Sequence, residues 1–338
     1  MNCAKLCFVL VLHLCKATSE AEKKDVYGKD WVLFVDSKGT PHHVSLSVPN
    51  ETISLRESQT VSASTQPRFW LYTRKTINES EEILTPIQNK TNYDPKSPLV
   101  LLVHGWLSDR DSDSVQLIKN AILTTPNRND NVIIMDWSCM QSWNYIISAE
   151  KTLSAAEKLK DFVQSLANIY QIHGTMIHFI GHSLGAHVVG LAGVILNKKS
   201  NFTVSRVTGL DPASPFFELP AIYPGISSDA AAFVDIIHTN IGILGISKAV
   251  GHADFYPGGG VYQPTICPSS IFPGWCEHKS AYIYFQKSLT NKFSARKCHD
   301  YFMYTLGLCD KNEVQDMGEP SESTARGSYF LDIKTINN

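Results

Sequence analysis

A serine stands between two glycines in the segment GHSLGAH at residues 181–187, directly after an apolar run that ends at Ile180. The spacing G-x-S-x-G between a strand and a helix is typical of a sharp turn that holds the Ser183 hydroxyl exposed as a nucleophile. Glycines at 181 and 185 would let the strand and the helix pass closely. The alternative is a turn serine without a catalytic role, because serine and glycine are both common in turns. The apolar run before the motif and the helical pattern after it favour the nucleophile.

A serine hydroxyl is a weak nucleophile at neutral pH, so the chain must supply a base and an acid that orients it. For a serine on such a turn, the acid follows it along the chain and the histidine comes last. Asp211 in GLDPASP follows the next strand-like run, although a turn aspartate before Pro212 is the alternative.

Four histidines lie farther along the chain as candidates for the base: His238, His252, His278 and His299. Spacing does not decide among them. His238 lies in an apolar run and is typical of a satisfied strand histidine. A predicted disulfide beside His278 would fix its loop, and this favours His278.

Catalysis by a serine also needs N–H donors for the oxyanion, each typically worth about 10²–10³ in rate. One donor is the N–H of the residue after the nucleophile, Leu184. The other comes from the loop after an early strand, and the run LVLLVHGW offers the N–H of Trp106 beside a glycine. Trp106 serving only as a wall of the site is the alternative.

The positioning elements follow from apolar runs that alternate with helical patterns. Strand-like runs occupy 99–106, 131–137, 176–182, 206–211 and 233–239, and helical patterns occupy 153–172 and 184–196. This alternation predicts an α/β fold with a mostly parallel, doubly wound sheet. We expect one catalytic domain over 66–338, after an N-terminal extension over 18–65 that carries short strands.

Composition and targeting signals predict a secreted globular protein. The 338 residues are 43% hydrophobic and 18% charged, with a net charge of −2 and no basic block, so we expect no nucleic-acid partner. Residues 1–17 have the pattern of a signal peptide. No other segment is long and apolar enough to span a bilayer, so we expect no transmembrane anchoring.

Cysteines and sequons agree with an oxidising compartment. Outside residues 1–17, near neighbours in sequence predict the disulfides Cys267–Cys276 and Cys298–Cys309. Cys139 is then left over, either buried and free or joined to another chain, and we expect a monomer. Predicted glycosylation sites are Asn50, Asn78, Asn89 and Asn201.

Several segments, in chain order, resemble the catalytic domain of the pancreatic lipase family: VHGW, GHSLGAH, GLDPASP, DIIHTN, VGHADFYPGGG and CEHKSAY. The resemblance extends from about residue 69 to about residue 284. It implies an α/β-hydrolase fold and hydrolysis of glycerolipid esters. Carried over by position, it implies Ser183 as nucleophile, Asp211 as orienting acid and His278 as base, with the N–H groups of Trp106 and Leu184 as the oxyanion hole.

Departures from the larger family members narrow this expectation. Those members have a C-terminal β-sandwich, which we do not expect here. Their lid between two cysteines is long, whereas Cys267 and Cys276 enclose only PSSIFPGW. A short lid resembles the phospholipase A1 branch, particularly the vespid venom enzymes. Within the lid, Ile271, Phe272 and Trp275 either contact a membrane surface or pack the disulfide loop.

The predicted reaction is therefore hydrolysis of the sn-1 ester of a phospholipid at a membrane or micelle surface. A triacylglycerol lipase or a galactolipase is the alternative within the family. A non-catalytic lipid-binding or yolk-like protein is the alternative of another class. We expect no cofactor and no metal, because Glu218 and Asp229 fall in the region of the family's calcium site but its arginine and second aspartate have no clear counterpart.

Overall fold

The computed structural model describes residues 25–28, 30–36, 40–46, 66–87, 91–218, 221–268 and 274–333. The predictions for the signal peptide, for two of the sequons and for most of the lid lie outside the described residues; these are residues 1–17, Asn50, Asn89, Ile271 and Phe272. The division between extension and catalytic domain at residue 65 stays a prediction.

Within these described ranges, thirteen strands form two sheets. A two-stranded sheet consists of β1 (Trp31–Val35) and β2 (Pro41–Ser45). The eleven-stranded sheet consists of β3 (Arg68–Tyr72), β4 (Glu81–Ile83), β5 (Leu99–Val103), β6 (Asn131–Asp136), β7 (Ile177–His182), β8 (Arg206–Leu210), β9 (Phe233–Ile237), β10 (Ala253–Pro257), β11 (Ser294–Lys297), β12 (Val314–Asp316) and β13 (Gly327–Leu331).

The large sheet has the order β12-β11-β13-β10-β9-β8-β7-β5-β6-β3-β4. Neighbouring strands from β6 across to β13 are parallel, and the strands at both margins are antiparallel. All five residues of β5 are buried. Strands buried on both faces form continuous apolar runs because helices cover both sides, which explains the sequence LVLLV.

Helices cover both faces of this sheet: α1 (Asp113–Thr124), α2 (Tyr145–Tyr170), α3 (Leu184–Ser200) and α4 (Trp275–Ser288), followed by the short α5 (Tyr301–Thr305). Most buried apolar residues of α2 and α3 belong to the core on one face. Those of α1 and α4 belong to the core on the other face. The mostly parallel, doubly wound sheet predicted from the alternation is therefore present.

Helix α2 begins eight residues before the predicted start at 153. The side chain of Asn144 accepts a hydrogen bond from the N–H of Ile146 at 3.0 Å and caps the first turn. Inward residues such as Ile147 continue the apolar stripe from this cap. The helix ends at Tyr170, close to the predicted end at 172, and the residue that follows, Gln171, adopts a left-handed conformation.

The cysteines pair as their spacing predicts. Cys267 and Cys276 form a disulfide with Cα atoms 5.9 Å apart, and Cys298 and Cys309 form another at 5.6 Å. Cys139 is free, but it is exposed rather than buried, and its thiol donates to the Gln66 carbonyl. Within the described ranges, no helix has both the length and the apolar character needed to cross a bilayer.

Candidate active site

The candidate catalytic residues meet at one edge of the large sheet. Ser183 and Asp211 directly follow β7 and β8, and the register pairs His182 with Leu210. The carboxyl ends of neighbouring parallel strands lie at the same edge, so the two residues after these strands are neighbours. His278 reaches them from the first turn of α4.

Ser183 occupies a strained turn between β7 and α3. Its φ of 57° and ψ of −123° are unusual for a residue with a side chain, and such strain is concentrated at functional sites. The flanking glycines permit the turn through close packing. A Cβ on Gly181 would lie 2.3 Å from the Gly185 carbonyl oxygen, and a Cβ on Gly185 would lie 2.3 Å from the Val103 carbonyl oxygen. The predicted strand, turn and helix are present at residues 177–200.

A buried hydrogen-bonded pair joins His278 to Asp211. Nδ1 of His278 donates to Oδ2 of Asp211 at 2.6 Å, and both side chains are at most 1% exposed. The other carboxylate oxygen accepts from the N–H groups of Thr239 at 2.7 Å and Asn240 at 3.0 Å. These amides fix the carboxylate, which holds the proton on Nδ1 of the histidine. Nε2 is then left with the lone pair that a general base needs.

The other three histidine candidates are bonded elsewhere. Both ring nitrogens of His238 are occupied, by Asp254 at 2.9 Å and by the Ile246 carbonyl at 2.9 Å, as expected of a satisfied strand histidine. Nδ1 of His252 accepts from a backbone N–H at 2.9 Å. His299 is 85% exposed beside its neighbour Asp300.

The loop after β5 lies against the candidate nucleophile. A Cβ on Gly105 would lie 2.9 Å from Cβ of Ser183, so the glycine is required for this approach. The Gly105 carbonyl accepts from the side chain of Gln141 at 2.9 Å. In a trans peptide the C=O and the following N–H point in opposite directions, so the N–H of Trp106 points away from Gln141.

The second candidate oxyanion donor belongs to the start of a helix. Leu184 is the first residue of α3, and the first N–H groups of a helix have no partner within the helix. The side chain of Trp106 is 1% exposed, and its indole N–H donates to the Ser142 carbonyl at 2.8 Å. Trp106 is therefore a wall of the site through its ring, whether or not its backbone N–H serves as a donor.

His182 lies beside the pair and stays neutral. Its ring centroid is 4.6 Å from that of His278, and its Nε2 donates to the His278 carbonyl at 3.1 Å. Burial and the nearby His278 hold the pKa of His182 well below its usual value. A neutral ring here leaves His278 free to accept a proton without a second cation against it.

Two clefts of different character meet at Ser183. The first is apolar and also contacts His278, and its other walls come from Val32, Phe34, Leu46, Trp106, Tyr145, Ala213, Pro215 and Leu244. The second has a volume of about 250 Å³ and carries a larger share of polar groups, including Ser108, Ser112, Asp113, Ser114 and Lys279. The two clefts that meet at Ser183 thus differ in polarity.

Of the three lid residues, Trp275 is described. It begins α4, is half-buried, and its ring packs 4.7 Å from that of Phe34.

The two acids in the family's calcium region are bonded within the chain. Glu218 accepts from Ser247 and Lys248 backbone N–H groups, and Asp229 pairs with Lys198.

Sequence reasoning missed some of the residues that build the site. The amides of Thr239 and Asn240 directly follow the run FVDIIH, so their position at a strand end was a usable signal. Gln141 and the inward face of β1 gave no such signal, because only the folded chain brings Gln141 to the Gly105 carbonyl and Phe34 to the cleft that contains Ser183.

A serine on a strand–turn–helix elbow, beside a buried His–Asp pair at the carboxyl edge of a mostly parallel sheet, defines an α/β-hydrolase. The family model described as "Lipase" matches residues 39–336. The chain therefore belongs to this family, in agreement with the resemblance to pancreatic lipases.

Curated relatives are similar over most of this chain. Lipoprotein lipase from Bos taurus is 31% identical over 269 residues, covering 72% of this chain and 55% of that protein. Hepatic triacylglycerol lipase from Oryctolagus cuniculus is 29% identical over 276 residues, covering 70% and 55%. The chain thus spans about half the length of the curated relatives it matches.

Proposed function

We propose that this protein is a secreted serine ester hydrolase of glycerolipids, and specifically a phospholipase A1. The observation that carries the hydrolase proposal is the buried 2.6 Å bond between His278 and Asp211, placed at the same cleft as the strained Ser183. Such a constellation activates a serine for acyl transfer, because the histidine can accept the hydroxyl proton while the carboxylate stabilises the imidazolium.

In the proposed mechanism, Oγ of Ser183 attacks the ester carbonyl carbon while Nε2 of His278 takes the hydroxyl proton. The N–H groups of Trp106 and Leu184 stabilise the oxyanion of the tetrahedral intermediate. The intermediate collapses with cleavage of the ester C–O bond, and His278 gives its proton to the leaving glycerol oxygen. Water, deprotonated by His278, then attacks the acyl-enzyme and releases the fatty acid and the free serine.

The two clefts support a phospholipid rather than a third acyl chain as the preferred substrate. The polar cleft presents the ammonium group of Lys279 and the carboxylate of Asp113 within reach of the same ester site. A zwitterionic headgroup carries a phosphate and an ammonium, so it complements these charges, whereas an acyl chain would bury them unpaired. The short lid PSSIFPGW agrees with the same preference.

A triacylglycerol lipase is the second candidate, and the relatives favour it. Both proteins named above carry lipase in their names, and one is a triacylglycerol lipase. A binding protein without activity is the candidate of another class. This candidate would require that Ser183, Asp211 and His278 lie at one site without catalysing a reaction.

We also propose secretion as a monomer, with glycosylation at exposed sequons. Asn78 and Asn201 are both exposed, as an acceptor must be. Two disulfides are typical of an oxidising compartment. Electrophoresis with and without reductant tests whether the exposed Cys139 joins two chains.

The decisive experiment is product analysis with a mixed-chain phosphatidylcholine and, separately, a triacylglycerol, for the wild type and Ser183→Ala. Release of the sn-1 acid, lost in the variant, supports phospholipase A1. If the wild type cleaves mainly the triacylglycerol and the variant loses this activity, the mechanism is supported but the substrate is a triacylglycerol rather than a phospholipid. Equal turnover by both proteins overturns the mechanism, and no turnover by the wild type favours the binding protein.

A further inference from the structure

The N-terminal hairpin of β1 and β2 lies over the candidate active site. Its two strands pair antiparallel with each other and form a sheet of their own within the described residues. Burial alternates along β1, so that Val32 and Phe34 face the body of the protein at 3% and 4% exposure. Leu33, between them, is half-buried on the other face.

Phe34 occupies the junction of the two clefts. Its ring centroid lies 4.7 Å from that of Trp106 and 4.7 Å from that of Trp275. It lines both the apolar and the polar cleft together with Ser183. Ser183 itself is only 4% exposed, although its turn lies at the edge of the sheet.

The apolar cleft is closed as it stands. Its free volume is about 10 Å³, roughly the minimum that a single water requires. Val32, Phe34 and Leu46 form the hairpin side of this cleft, facing Tyr145 and Leu244 on the body. An acyl chain longer than a few carbons therefore needs the space that the hairpin side chains fill.

We propose that the hairpin is the gate of the acyl-binding cleft and that Phe34 determines which acyl-chain lengths are accepted. This inference rests on the proposed ester hydrolysis at Ser183, but not on the identity of the headgroup. The hairpin side chains are displaced by the acyl chain of the substrate, which takes over their apolar contacts with the body. Hairpin strands that pair with each other keep their backbone hydrogen bonds as the gate moves.

The gate fulfils the covering role for which the segment between Cys267 and Cys276 is too short. Phe34 contacts Trp275 at the end of that segment, so the hairpin and the short lid meet over the nucleophile. Val32 and Phe34 of the hairpin thus form part of the apolar cover beside Ser183.

The test compares acyl-chain selectivity in Phe34→Ala, Phe34→Trp and the matched control Leu33→Ala. The ratio of kcat/KM for p-nitrophenyl octanoate to that for p-nitrophenyl acetate is measured with the full chain. We expect Phe34→Ala to raise this ratio about tenfold, the lower end of what a methylene-sized change in a pocket achieves. Phe34→Trp should lower the ratio, and Leu33→Ala should leave it unchanged.

An unchanged ratio in both Phe34 variants overturns the gate, and so does a fall of the ratio in Phe34→Ala. Thermal unfolding of each variant identifies any that is misfolded, and Phe34→Trp keeps the test valid if Phe34→Ala does not fold. These esters have no headgroup, so the result is independent of phospholipid preference. If Ser183→Ala hydrolyses the acetate as fast as the wild type, the proposed function fails instead.

Discussion

Replacing Asp211 by asparagine tests the site most directly, because the surrounding backbone fixes how the new amide must lie. The N–H groups of Thr239 and Asn240 donate to Oδ1 of Asp211 at 2.7 and 3.0 Å. Only the amide oxygen of asparagine can accept these bonds, so its NH₂ group turns to His278. Nδ1 of the histidine must then accept a proton rather than donate one, and Nε2 carries the hydrogen.

The wrong tautomer of His278 cannot take the proton of Ser183, so the loss falls on the chemical step. A comparable substitution in serine proteases lowers kcat by about 10⁴, which corresponds to about 5 kcal/mol of transition-state stabilisation. We expect a loss of this size in Asp211→Asn, measured as kcat on p-nitrophenyl butyrate. Activity should recover in part at high pH, where hydroxide can substitute for the base.

Asp254→Asn is the matched control. Asp254 is also buried, is bonded to His238 at 2.9 Å, and accepts from the backbone N–H groups of Val250 and Gly251. It should lower stability without a comparable loss of kcat in the folded enzyme. A retained kcat in Asp211→Asn, within about tenfold of the wild type, would refute the assigned tautomer. Inactivation by Asp254→Asn alone would move the base to His238.

Three further predictions concern the supports of the site. Gly105→Ala would place a Cβ 2.9 Å from Cβ of Ser183, so kcat should fall about 10²-fold from misplacement of the nucleophile; an unchanged kcat in a folded variant contradicts this. Glu277→Ala removes the acceptor of the Gly274 N–H at 2.8 Å and should lower the free energy of unfolding by about 1 kcal/mol in denaturant titrations, whereas Glu277→Gln keeps most of it. Burial lowers the pKa of His187 in the folded protein to about 4, whereas the pKa of an unfolded histidine is about 6.5. Between pH 4 and pH 6.5 the unfolded state therefore binds more protons at this residue than the folded state. The contribution of the neutral, buried His187 to the free energy of unfolding is complete above pH 6.5, and about 3 kcal/mol of it is lost as the pH falls towards 4. Unfolding titrations at the two pH values should show a loss of stability in His187→Gln that is smaller by about this amount.

The sequence predicted the elements that carry the chemistry because their constraints are local. A short apolar run before GHSLGAH is typical of a strand covered on both faces, and glycines at 181 and 185 are needed where strand and helix cross so closely. Element ends were predicted less well. Helix α2 begins at its Asn144 cap rather than at 153, since a cap is set by a few hydrogen bonds that periodicity does not detect.

Cys139 illustrates a property that spacing leaves open. The two predicted disulfides leave Cys139 without a partner in the chain, but only the fold decides that its thiol lies at the surface. The choice of His278 over His238 is similar. Both histidines have an aspartate partner, and only the structure shows that both ring nitrogens of His238 are occupied.

By itself, the sequence predicted the fold class and the disulfide pairs from residue type and short spacing, and the resemblance to a known family indicated Ser183, Asp211 and His278 as the catalytic residues. The tertiary structure alone decided that the Thr239 and Asn240 amides hold Asp211, and that Phe34 of the N-terminal hairpin covers Ser183. These contacts join segments far apart in the chain. They depend on how strands order across the sheet and how side chains fill the space between them, which no local pattern encodes.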